Sequence, residues 1–170
     1  GHELARSQAS TGPQVDRAII FLTAAGMLDR TAANVDPVLV RLALQHTERD
    51  YSDHLIFWLQ NYVSGSADRA VVMDAIRYLL NRQSTVEQRK AMLESLASRI
   101  GNRNPAIDSE MATLLGLLMI EKGDKEASKF YLLQAYGNNR YNKTAFAKLA
   151  EMAPREIGPA VYLEHLRLVL

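Results

Sequence analysis

The sequence predicts an all-α fold, and three observations carry that expectation. Apolar residues recur at spacings of three and four along nearly the whole chain. No Asn-Gly or Asp-Gly pair stands between alternating apolar runs, so hairpin strands have no signal. Proline, glycine and Asx residues punctuate the periodic segments at short intervals, as they do between helices.

The first helix is expected over 13–29: Pro13 suits a first turn, and the run Ala18–Leu28 is apolar except for Thr23. That run is shorter than the about 20 residues a bilayer span needs, so a buried helix is the expectation. A secretory-signal core is the competing reading of the same run, against which the charged pair Asp16 and Arg17 counts. Asp36-Pro37 pairs a capping side chain with a first-turn proline and opens a helix over 37–47. The polar stretch Thr47–Asp50 ends it, and a third helix is expected over 51–63, closed by Ser64-Gly65-Ser66. The fourth, over 67–82, places Val72, Ala75, Ile76, Leu79 and Leu80 on one stripe and Asp74, Arg77 and Asn81 opposite, which makes it amphipathic.

A break at Gln83–Thr85 leads to a helix over 86–100, ended by Gly101. Asn104-Pro105 repeats the cap-and-proline start for a helix over 105–121, and Gly123-Asp124 turns the chain into the next, over 124–137. The polar segment 137–142 separates a helix over 143–152, and Pro154 with Gly158-Pro159 precedes the last, over 159–170. Links this short favour antiparallel neighbours. Residues 1–12 read as a loose or appended arm and 13–170 as a single helical domain. Its final Leu163, Leu166, Leu168, Val169 and Leu170 are still apolar without a cap, which leads us to expect that the chain belongs to something longer.

Composition narrows function by exclusion. Twenty basic and nineteen acidic side chains give a formal charge of +1, which advertises neither nucleic acid nor an anionic surface as partner. With no cysteine among 170 residues, disulfides, thiolate metal sites and cysteine nucleophiles are ruled out together. The serine-nucleophile, phosphate-loop, dinucleotide and zinc-peptidase motifs are missing as well. No cofactor is expected.

Compared with itself at an offset near 34 residues, the sequence places Ala112, Leu115 and Gly116 on Phe146, Leu149 and Ala150. Leu115-Gly116, Met119, Gly123-Asp124, Ala127, Tyr131 and Ala135 together resemble the tetratricopeptide repeat (TPR), best over 107–153. Ala112 departs from that pattern where the family carries an aromatic, and Arg140 where it carries proline. The resemblance implies an α-α superhelix, a TPR-like solenoid of antiparallel helical hairpins. It implies a non-enzymatic scaffold that binds a protein or peptide in a concave groove lined by Glu110, Thr113, Leu117, Thr144, Ala147 and Glu151. Small residues at 116 and 127 would let helices approach closely, and Gly123 would supply a left-handed exit. A structural or self-association module, forming a homo-oligomer through its ends, is the second expectation.

A helical metal-dependent hydrolase is the third, resting on His46, Asp50, Asp53 and His54, whose spacing shares one side if a helix runs unbroken through them. The polar stretch between them reads better as a connector with Asp50 as a cap. Tyr51, Phe57, Trp58 and Tyr62 read as core packing rather than a ligand cradle. Arg99, Arg103, Arg140 and Lys143 read as solvated helix-end charges rather than an RNA patch. His165 beside Glu164 has no third group to complete a catalytic set. Asn142-Lys143-Thr144 fits a glycosylation sequon of the kind that arises often by chance.

Overall fold

Helix-start chemistry decides the architecture. The computed structural model describes residues 12–28, 35–47, 49–64, 66–152 and 157–169. Among them lie nine helices and no strand: α1 (Gly12–Leu28), α2 (Val35–Gln45), α3 (Ser52–Tyr62), α4 (Arg69–Asn81), α5 (Val86–Ile100), α6 (Pro105–Lys122), α7 (Lys125–Asn138), α8 (Lys143–Met152) and α9 (Pro159–Val169). Each falls within two residues of its sequence expectation. Apart from Gly12, the arm expected over 1–12 lies outside the described residues, as do Pro154 and Leu170. No helix among the described residues is long and apolar enough to cross a membrane.

The boundaries follow from local hydrogen bonds. Thr85 and Gln88 form a reciprocal capping box on α5. Asn104 accepts from the amides of Ala106 and Ile107 and starts α6, with Pro105 as its first residue. Gly123 ends α6 at φ 81°, and the carboxylate of Asp124 accepts from the Ala127 amide to start α7. Asp36 departs from expectation: α2 begins at Val35, which puts Asp36 inside the first turn instead of at the cap. Its side chain meets Asn61 instead, and burial raises its pKa above the usual carboxylate value by more than that hydrogen bond lowers it.

The chain divides into two compact units, residues 1–79 and 80–170. In the first, α1 packs on α2 and α2 on α3. Val15, Ala18, Ile19 and Leu22 are buried on α1, while Ile20 and Phe21 stay 64% and 62% exposed. Where its side chains are described, the apolar run of α1 is therefore buried along one face, with Ala24 and Ala25 exposed beside Ile20 and Phe21. Leu55, Trp58 and Leu59 of α3 are fully buried, and α4 shows the expected stripe, with Val72, Ala75, Ile76 and Leu79 at 0%. Asp16 ties the unit together by pairing with Arg49 and accepting from the Tyr51 hydroxyl at 3.2 Å.

In the second unit, residue pairings show a succession of antiparallel neighbours. Glu87 faces Lys122 and Arg89 faces Glu121 across α5 and α6. Gly116 lies against Leu132, and the Ser109 hydroxyl donates to the Ala135 carbonyl, across α6 and α7. Tyr136 meets Phe146, and Ser128 meets Met152, across α7 and α8. Ala112, Leu132, Ala135, Tyr136, Ala145, Phe146 and Leu149 form one buried cluster, with Ile157 and Val161 packed on its margin. Helix starts fall at 105 and 143 for α6 and α8, and at 125 and 159 for α7 and α9.

Candidate functional site

The residues expected to line a groove separate into two sets. On α8, Thr144, Ala147 and Glu151 are exposed and follow one another at three- and four-residue spacing, while Ala145, Phe146 and Leu149 turn inward. Glu151 is held by Lys148 at 2.7 Å. On α6, Glu110 and Leu117 are half-buried. Thr113 is 3% exposed, so it presents almost no surface to a partner.

A polar network accounts for Thr113. Asn142, which precedes α8, accepts from the Ala145 amide at 3.0 Å and so caps that helix. Its side-chain nitrogen donates to Ser109 Oγ at 2.7 Å and Thr113 Oγ1 at 2.8 Å. Ser109 Oγ donates in turn to the Ala135 carbonyl at 2.6 Å, and Thr113 Oγ1 donates to the Ser109 carbonyl at 2.8 Å. One buried cluster thereby joins α6, α7 and the start of α8, with its hydroxyls and amide partnered, as burial demands. The sequon is closed off by the same bonds, since the nitrogen that would carry a sugar is held inside.

A second feature of this unit lies among α7, α8 and α9: a cavity of about 260 Å³ walled by Leu133, Tyr136, Phe146, Leu149, Ile157 and Val161. Gly137 and Arg140 also line it. The Arg140 guanidinium carbon sits 5.0 Å from the Tyr136 ring centroid, a cation–π arrangement. None of the six expected groove residues lines this cavity. Sequence reasoning missed it because its walls come from three helices and a connector: Phe146 and Leu149 enter that reading only as repeat positions and Arg140 only as a helix-end charge.

Behind the wall, His165 is 4% exposed and stacks on Phe146 with ring centroids 3.7 Å apart and planes 13° from parallel. Its Nδ1 and the Tyr136 hydroxyl are buried without a hydrogen-bond partner. The remaining candidates are scattered. The helix breaks between Gln45 and Ser52, so His46 and His54 do not share a helix face. Asp50 accepts from the amide and hydroxyl of Ser52 at 3.0 and 2.7 Å, but the cap position of α3 is Tyr51, which makes no side-chain capping bond, so Asp50 braces the helix start from one residue outside the cap expected of it. Among the described residues no group of three or more His, Asp or Glu side chains is placed to hold a metal ion. Tyr51 and Trp58 are core residues, whereas Phe57 is 46% exposed and Tyr62 accepts from the Asp68 amide at 3.0 Å.

Beside this geometry the comparisons are silent: no protein-family model, curated protein or solved structure matches the chain.

Proposed function

We propose that this chain is a non-enzymatic scaffold of stacked helical hairpins, a TPR-like superhelix that engages a protein or peptide segment through the exposed row of α8. The observation that carries the reading is how α8 is docked. Its Ala145, Phe146 and Leu149 side is committed to the core, while Thr144, Ala147 and Glu151 stay on the outward side of a helix whose start is fixed by Asn142. A row held this rigidly can bind with little ordering cost, and recognition spread over several side chains requires no reactive group. The close approach at Gly116 and the left-handed Gly123 are the features a TPR-like hairpin would use.

Selection of a random peptide library on the immobilised chain tests the proposal. Selected peptides should lose at least about tenfold in affinity to the Ala147→Arg variant and keep it with Lys125→Glu, an exposed site on α7. Peptides indifferent to both Ala147→Arg and Leu117→Arg would remove the reading. Light scattering across concentration separates the self-association alternative, for which mass rises with concentration.

A further inference from the structure

We infer that the cavity among α7, α8 and α9 is a binding site for a small apolar monocarboxylate, of the medium-chain alkanoate class. This site is separate from the α8 row and goes beyond the scaffold reading. Three features specify the ligand. The wall is hydrocarbon and aromatic, with Leu133, Phe146, Leu149 and Val161 offering dispersion contacts and no hydrogen-bond partners to a polar guest. At about 260 Å³ it falls just below the volume of sites for drug-sized ligands, which suits a chain of roughly eight carbons. Among the described residues its one charged lining residue is Arg140, which rests on the Tyr136 ring and has no carboxylate partner among them. Many other cations of this unit are paired, Arg89 with Glu121, Lys122 with Glu87 and Lys148 with Glu151. A guanidinium at the edge of an apolar cavity accepts an anionic head while the tail enters.

Gly137 keeps the entrance open. A Cβ placed there would meet nothing within 4 Å, although the residue lines the cavity. A side chain added at 137 therefore grows from the wall without displacing protein. It also removes a glycine from a helix, which favours folding. Gly137→Leu can thus obstruct the site while leaving the fold intact.

The carboxylate could reach the site as a free acid or as the terminus of a peptide ending in leucine. We assign the free acid, because the amides of a peptide would lose water against this wall without replacement. Octanoate, octylamine, 1-octanol and acetyl-Gly-Gly-Leu are titrated into the full chain, read by calorimetry and by methyl and ring NMR shifts. Octanoate should shift Leu133, Leu149 and Val161 and bind at least about tenfold tighter than octylamine, octanol or the peptide. Arg140→Gln should cost octanoate about tenfold and leave octanol unchanged, and Gly137→Leu should abolish octanoate binding with the thermal midpoint held or raised. The inference is overturned if octylamine or octanol matches octanoate, if the peptide binds tighter than the free acid, or if both variants still bind octanoate normally. None of these outcomes bears on the α8 row, whose peptides should bind Gly137→Leu undiminished.

Discussion

A Cβ on Gly116 would lie 2.7 Å from Cγ of Leu132 and 2.9 Å from its Cδ2, closer than such atoms approach one another in folded proteins. Leu132 is fully buried, and the Ser128 carbonyl stands 3.4 Å from the same point, so neither neighbour is free to retreat. The α6–α7 hairpin therefore depends on the missing side chain. Gly116→Ala should destabilise by about 1–3 kcal/mol despite alanine's better helix propensity. Leu132→Ala alone should cost about 2–5 kcal/mol. Combined, the two should cost less than their sum, because the new methyl enters space that Leu132 vacates. Urea unfolding of the four proteins measures the coupling, and strict additivity would show that the approach carries no weight.

Asn142 is both a helix cap and a bridge between α6 and α8, and its chemistry predicts how substitutions rank. Asn142→Ala removes the cap, worth about 0.5–2 kcal/mol, and withdraws the donor from two buried hydroxyl oxygens. Asn142→Asp keeps an acceptor for the Ala145 amide but turns a carboxylate oxygen toward Ser109 and Thr113 where a donor stood. At neutral pH it should be no more stable than the alanine variant. On acidification, protonation restores a donor, so Asn142→Asp should regain stability relative to Asn142→Ala between about pH 6 and pH 4. Thermal midpoints across that range measure the crossover, and parallel pH profiles would count against the bridge.

The same residue shows where sequence reasoning succeeds and where it ends. Helix starts were legible because their signals are local: Asn104 bonds two and three residues ahead, and Asp124 three. Gly123 was legible because its left-handed turn is a property of one residue. Repeat position puts Thr113 on an outward groove, yet in the fold it is buried and its hydroxyl meets Asn142, 29 residues away. Asp36 carried a local signal that was overruled when Asn61 from α3 supplied another partner. The cavity left no trace of its own, since no periodicity records which gap three packed helices leave unfilled.

Asp108 predicts a pH dependence in the α5–α6 connection. Its carboxylate accepts from the Asn102 amide at 3.0 Å and helps hold Asn102 at φ 61°. Burial raises its pKa above 3.8, outweighing the lowering effect of that hydrogen bond. A carboxyl whose pKa is raised by folding keeps its proton longer in the native state. Its contribution to stability is therefore fully present below pH 3.8 and declines as pH rises through the window just above it. Asp108→Asn can still accept from Asn102 but does not titrate. The stability of the natural chain relative to Asp108→Asn should accordingly fall from pH 3.5 to about pH 6. Urea midpoints at half-unit intervals check this, and a rising difference would contradict it.

His165 holds α9 to the core by area and stacking rather than by a hydrogen bond. Its ring lies nearly parallel to Phe146 at 3.7 Å, with Tyr136 a further neighbour at 5.7 Å, while Nδ1 is left buried without a partner. A lone buried nitrogen costs about 1–3 kcal/mol of desolvation, so the position retains a penalty that a hydrocarbon ring would not incur. His165→Phe keeps the stack and discards the nitrogen, and should match or exceed the natural chain in thermal midpoint. His165→Ala loses the ring and opens a void beside Phe146, at about 2–4 kcal/mol. If Nδ1 instead took part in a bond that mattered, His165→Phe would fall with His165→Ala. The order of the two variants in one calorimetric series therefore distinguishes packing from polarity as the force that seats the last helix.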